Sequence, residues 1–206
     1  MSLRFFDVTF RAVLVGSMLI CAPVEVGAQS VDRPDKPNRE KTRVVSRPQD
    51  KDRLPLSQLT TSKISRDVDA IRRECVQYND VYRIDCLRQG IDMMLATLPE
   101  NSEYEQAKNI LGKTSGQLNH IVSVYQDRSA TKLVPAPGAN PRFKKQRQYS
   151  AIKRNTVALA TKQATAAVDE AATSLLRSSE NSERRYAHYQ EISIAVDSTK
   201  TLLRSS

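Results

Sequence analysis

Cys75 and Cys86 stand eleven positions apart on either side of an Asn79-Asp80 pair, and this spacing restricts how the surrounding chain can fold. On one uninterrupted helix they would lie about 16.5 Å apart along the axis, at about 1.5 Å per residue, beyond disulfide reach. The two positions are symmetric about the Asp80-Val81 bond, so a turn there sets them level on facing helices. The apolar pattern breaks at the same place. Ile64, Val68, Ile71, Cys75 and Tyr78 form one stripe at alternating spacings of four and three, which predicts a helix face. Continuing that phase would require apolar residues at Tyr82, Asp85, Gln89 and Asp92, and three of these are polar. A new stripe, Ile84, Leu87, Ile91, Met94 and Leu98, runs instead to Pro99, where regular continuation stops. Asn and Asp favour turns and caps, so the reading is two antiparallel helices bridged by Cys75–Cys86. Closing a loop of this length by a disulfide stabilises by about 3 kcal/mol in the chain-entropy picture.

That pairing assumes an oxidising compartment, which the start of the chain supports. Basic Arg4 and Arg11 precede an apolar core from Ala12 to Pro23, followed by the small residues Val26-Gly27-Ala28. This is the pattern of a cleavable secretory signal, too short for a transmembrane span of about 20 apolar residues. Cleavage after Ala28 removes Cys21, and Ile20 before it does not fit a lipidation signal. Two cysteines remain in an exported chain, periplasmic or secreted, and an even count there points to a disulfide.

Residues 29–55 are rich in charge and proline and poor in apolar side chains, the composition of a disordered arm. Helical text fills 56–128. Its third helix starts near Asn101-Ser102 and places Tyr104, Ala107, Leu111, Leu118, Ile121 and Tyr125 on one side. Residues 129–142 hold three prolines and a glycine and read as a linker. In 143–206, Val157, Ala160, Ala164, Ala167, Ala171 and Leu175 make an alanine seam, Ser178 to Ser182 supply a turn, and Tyr189, Ile192, Val196, Thr199 and Leu203 mark a last helix. The expected fold is all-α. It comprises a disulfide-stapled helical hairpin plus a third helix, a Pro-rich linker, and a second long, Ala-rich helical hairpin, behind a signal peptide and a disordered arm.

Charge is uneven. Thirteen bases face six acids in 129–206, against nine and ten in 62–128. The densest run is Arg142 to Arg154, where Arg142, Lys144, Lys145, Arg147, Lys153 and Arg154 occur with Phe143 and Tyr149 and without an acid. Placed at the start of a predicted helix, these cations oppose the helix dipole, which argues for a binding role rather than a stabilising one. Outside the cytoplasm their partners would be acidic proteins, envelope glycans or anionic lipid, where polybasic segments gain about 1 kcal/mol per cation and aromatics enter the interface. An exported chain argues against nucleic acid as the target.

Catalytic patterns fail on inspection. Gly112-Lys113-Thr114 resembles the end of a phosphate loop, but Ala107 stands where its first glycine belongs, and a helical stripe replaces the preceding strand. His120 and His188 are the only histidines, with no zinc motif around them. Acidic pairs such as Asp67 with Asp69, or Asp169 with Glu170, are read as solvent-facing. The expected function is a non-enzymatic interaction or structural protein of the cell envelope that binds an acidic partner or self-assembles as a homo-oligomer through helical faces, without a cofactor. The alternatives are a membrane-surface-binding effector and a cofactor- or metal-binding bundle using His120 or His188 with Met93 or Met94.

Overall fold

The computed structural model describes residues 53–204. The signal peptide expected over 1–28 and most of the arm expected over 29–55 lie outside these residues. Within them the chain is helical, with isolated backbone bridges and no strand. Cys75 and Cys86 are bonded, with Cα atoms 5.7 Å apart, and both are fully buried.

Five long helices account for most of the described residues: α1 Gln58–Cys75, α2 Asp80–Leu95, α3 Glu105–Tyr125, α4 Val157–Arg177 and α5 Glu183–Ser198, followed by the short α6 Lys200–Arg204. Their starts follow local chemistry. Ser57, Asn79 and Ser182 sit at the N-caps of α1, α2 and α5 and accept from the amides of Thr60, Val81 and Arg185, each such cap being worth about 1 kcal/mol. The α3 start differs from the expected one by three residues. Asn101 takes φ 46 and its carbonyl accepts from Leu54 N at 2.9 Å, while Glu103 N returns a bond to Leu54 O. That pairing holds Asn101 to Glu103 outside the helix, in a left-handed turn that asparagine tolerates. The last helix is also shorter than its stripe implies. Thr199 turns both its amide and its hydroxyl onto Val196 O, which closes α5 before Leu203 and starts α6 as a separate turn.

Each long helix packs on its neighbours in sequence, and α5 closes the circuit by packing on α1. Side-chain pairs give the directions. Ile71 lies against Gly90 and Lys63 Nζ donates to Thr97 Oγ1 at 2.8 Å, so α1 and α2 run antiparallel. Leu95 faces Gly112 and Asp92 holds Ser115 between α2 and α3. Lys113 meets Glu170 at 2.7 Å and Gln163 meets Tyr125 at 3.0 Å between α3 and α4. Ser193 Oγ donates to Ala172 O at 2.9 Å between α4 and α5. Only the closing seam is parallel: Arg184 bonds Leu56 O, Thr61 bonds His188, and Ser65 bonds Glu191, in ascending order along both helices.

The expected stripes are the buried faces, including Ile64, Val68, Ile71 and Cys75 on α1 and the seam Ala160, Ala164, Ala167, Ala171 and Leu175 on α4. They meet in one continuous core to which all five long helices contribute. The helices on either side of the Pro-rich segment therefore share that core rather than standing as separate bodies. On the bundle axis Ile71, Leu87, Met94, Leu111, Val168 and Val196 leave a void of only about 10 Å³, near the lower limit for holding a single water.

Candidate functional site

From Arg128 to Val168 the chain contains nine Lys or Arg residues and no acid. The part between α3 and α4 folds back over the α1–α2 hairpin as a strap. Its two arms pair with each other: Asp127 N donates to Ala151 O at 2.7 Å, Lys153 N to Tyr125 O at 2.9 Å, and Leu133 and Tyr149 exchange bonds of 3.0 and 2.9 Å. Ile152 N donates to Val81 O at 2.8 Å and Tyr82 Oη to Thr131 O at 2.9 Å, which tie both arms to α2. At the turn after α3, Ser129 donates to Asp127 through its hydroxyl and its amide, and these bonds hold that carboxyl below its ordinary range.

Three carboxylates of the hairpin pin the strap. Asp67, Glu74 and Asp85 are each only 2% exposed. Asp67 pairs with Lys63 on its own helix and receives Arg142 Nε from the strap. Glu74 receives Arg147 Nη1 at 2.7 Å and Tyr149 Oη at 2.8 Å, with Tyr78 Oη at 3.2 Å. Asp85 accepts from Ser150 N at 2.7 Å, Arg88 Nε at 2.7 Å and Gln89 Nε2 at 3.0 Å. Burial, followed by the charge and hydrogen bond of Glu74, pushes the Tyr78 hydroxyl up to about 12. Burial and the Glu74 hydrogen bond raise Tyr149 further.

This arrangement corrects two expectations. Asp67 does not face solvent; it is sealed beneath Arg142. Arg142 to Lys153 is not the start of a helix either, since α4 begins at Val157 after a 3₁₀ turn, Arg154–Thr156. The physical reason is that the backbone of this run is satisfied elsewhere, by Leu133, Asp85, Val81 and Tyr125, and its aromatic side chains gain more by burial in the hairpin. Helix-dipole repulsion therefore does not act on Arg142 to Arg147.

The eight residues of the basic run divide into two groups. Phe143, Arg147 and Tyr149 are buried and Arg142 is ion-paired, so these four hold the strap down. Lys144, Lys145, Lys153 and Arg154 are exposed, and none forms a salt bridge among the described residues, although the charge of Lys153 acts on Asp127. Lys144 and Lys145 also line a cavity of about 490 Å³ enclosed by residues of the strap tip, Pro135 to Arg147. Asp67 and Glu74 escaped the sequence reading as docking residues, although a signal was present. They follow Ile64 and Ile71 by three positions each, which places both at the edge of the buried stripe.

The histidines lie apart. His120 is exposed in a groove of about 610 Å³ between α3 and α4. His188 Nδ1 is 2.7 Å from Thr61 Oγ1 in a chain of bonds that continues to Tyr104 and Ser57. Met94 is buried in the core, and Lys113 and Thr114 of the Gly-Lys-Thr triplet lie within α3. Among the described residues no three His, Cys, Asp or Glu side chains gather as a metal site, and no helix is long and apolar enough to cross a membrane. Compared with known protein families, curated proteins and solved structures, the chain matches none.

Proposed function

We propose that this chain is an exported, non-enzymatic helical protein of the cell envelope that holds an acidic partner on its cationic strap. One observation carries the reading. In an acid-free stretch, Lys144, Lys145, Lys153 and Arg154 are exposed and form no salt bridge among the described residues, on a segment anchored by buried Arg147–Glu74 and by Arg142–Asp67. Cations mounted on a fixed backbone lose less freedom on binding than cations on a mobile tail. The Cys75–Cys86 bridge supports an oxidising compartment. The filled bundle axis favours a role at the surface over one that uses an internal cavity. Burial of Phe143 and Tyr149 removes the rings that a lipid-surface role would insert.

The test is retention of the chain on immobilised polyglutamate across a salt gradient, using two variants of equal charge. One carries Lys144→Gln, Lys145→Gln, Lys153→Gln and Arg154→Gln. The other carries Arg66→Gln, Lys162→Gln, Arg177→Gln and Arg204→Gln, all on helices outside the strap. The strap variant should lose at least about tenfold more affinity than its control. Equal losses would mean that only net charge matters and would reject the strap as a site.

A further inference from the structure

We infer that the tip of the strap is a binding pocket for a small organic anion, a phosphate monoester or similar oxyanion carried on a compact apolar or ring body. The inference deepens the reading of the strap as an acid-binding surface and rests on it through Lys144 and Lys145.

The polar side chains of the cavity supply mostly hydrogen-bond donors, and two of them are buried without partners. Asn140 is 3% exposed, and its Nδ2 is buried with no hydrogen-bond partner among the described residues. Its orientation is fixed by the chain itself, because Oδ1 accepts from Arg142 N at 3.1 Å and so leaves the NH₂ group as the unsatisfied end. Arg147 is 7% exposed; Nη1 serves Glu74, while the buried Nε has no partner. A buried donor left without an acceptor is destabilising, so two within one short loop call for an acceptor. Lys144 and Lys145 line the same cavity and no carboxylate does. Arg147 is neutralised by Glu74, which leaves the two lysines to supply the attractive field.

Size and lining define the rest of the ligand. At about 490 Å³ the cavity falls within the roughly 300–1,000 Å³ of small-molecule sites, and a bare phosphate would fill only a fraction of it. Pro135, Pro137, Pro141 and Phe143 present apolar faces around the remainder. Gly138, at φ 79, turns the backbone at the tip, and a Cβ there would meet nothing within 4 Å. A ligand with an oxyanion for the donors and a compact ring for the proline and phenylalanine faces satisfies both parts of the lining.

The experiment is a titration of the isotope-labelled full chain with phenyl phosphate, inorganic phosphate and neutral phenol, following the Asn140 side-chain amide and the Arg147 Nε–H resonances. Phenyl phosphate should shift both saturably, and bind more tightly than inorganic phosphate. Asn140→Asp keeps the acceptor for Arg142 N but removes the donors and adds charge, so it should weaken binding at least about tenfold. Lys144→Gln with Lys145→Gln, both exposed, should do the same without risk to the fold. Absence of shifts with both phosphates, equal shifts with phenol, or unchanged affinity in these variants would overturn the pocket; equal affinity for inorganic phosphate would overturn the organic body. Polyglutamate retention of the same samples separates the two proposals. Retention lost only when the outer cations are removed, with no shift at Asn140, sinks the pocket and leaves the strap surface standing.

Discussion

Arg147 Nη1 donates to Glu74 Oε2 at 2.7 Å across 73 positions of chain, and the two side chains are only 6% and 1% exposed. Taking two charges out of water is costly, and removing one partner of such a pair costs about 3–5 kcal/mol because the other remains buried and uncompensated. Here Glu74 keeps the hydroxyls of Tyr149 and Tyr78, which places Arg147→Ala at the lower end, about 3 kcal/mol. Arg147→Met combined with Glu74→Gln should cost less than Arg147→Ala alone, since the amide oxygen still accepts from Tyr149 and no charge is stranded. Urea unfolding of the two variants decides this. A double variant as costly as Arg147→Ala would show that a stranded charge is not what sets the cost.

Alkaline pH should loosen the same contact. The Tyr78 hydroxyl is raised from its ordinary 10.0 to about 12 by burial first and then by Glu74, so the folded chain resists ionisation more than the unfolded chain does. The associated stability is complete below about pH 10 and is lost as pH rises through about 12. Tyr149, raised further, yields above that window. Urea midpoints should hold up to about pH 10 and then decline, and Tyr78→Phe should flatten the decline. A wild-type midpoint that stays constant to about pH 12 while phenolate absorbance grows would contradict the assignment.

Gly90 lets α2 pack tightly against Ile71 of α1. A Cβ there would stand 2.6 Å from Ile71 Cγ2 and 2.7 Å from Cγ1, so Gly90→Ala should destabilise by about 1–3 kcal/mol through overpacking, less about 1 kcal/mol regained from helix propensity. Ile71→Ala removes both clashing atoms. In that background Gly90→Ala should become stabilising, a change of sign that thermal unfolding can read; a uniform cost in both backgrounds would place the problem elsewhere.

Breaking Cys75–Cys86 should lower stability by about 3 kcal/mol. Both sulfurs are buried against the hairpin core, so Cys75→Ala with Cys86→Ala should also open small voids and cost somewhat more than reduction alone. Calorimetry with and without reductant measures the first effect. An unchanged transition under full reduction would assign the bridge no role in holding the hairpin.

Much of the fold was legible because helix periodicity reports burial directly. Ile64, Val68, Ile71 and Cys75 could occupy one face only as a helix, and the phase break before Asp80 placed the turn. Periodicity identifies a buried face and not the surface that covers it. For that reason the packing of α5 on α1, and of the strap on the hairpin, could not be read from the stripes. Phe143 and Tyr149 looked like interfacial rings because their spacing, among bases, fits no helix face. In the structure they are anchors of irregular backbone, whose direction is set by Glu74 and Leu133 rather than by any local repeat. Asp67 and Glu74 were hidden by the sound general expectation that carboxylates face water; the partners Arg142 and Arg147, more than 70 positions away, join the local ones in making their burial tolerable. Asn140 gave no sequence signal beyond membership of a proline-rich turn.

The parallel contact of α1 with α5 has a mechanical consequence. Because the circuit contains an odd number of long helices, the described chain enters α1 beside Arg184 and leaves α5 past the opposite pole, where Arg83 reaches Leu202 O. Tension applied between those two points drags adjacent helices lengthwise past each other, loading their contacts together instead of peeling them one at a time. Stretched end to end in an optical trap, the molecule should yield in one abrupt step, and a gradual helix-by-helix extension would contradict this geometry.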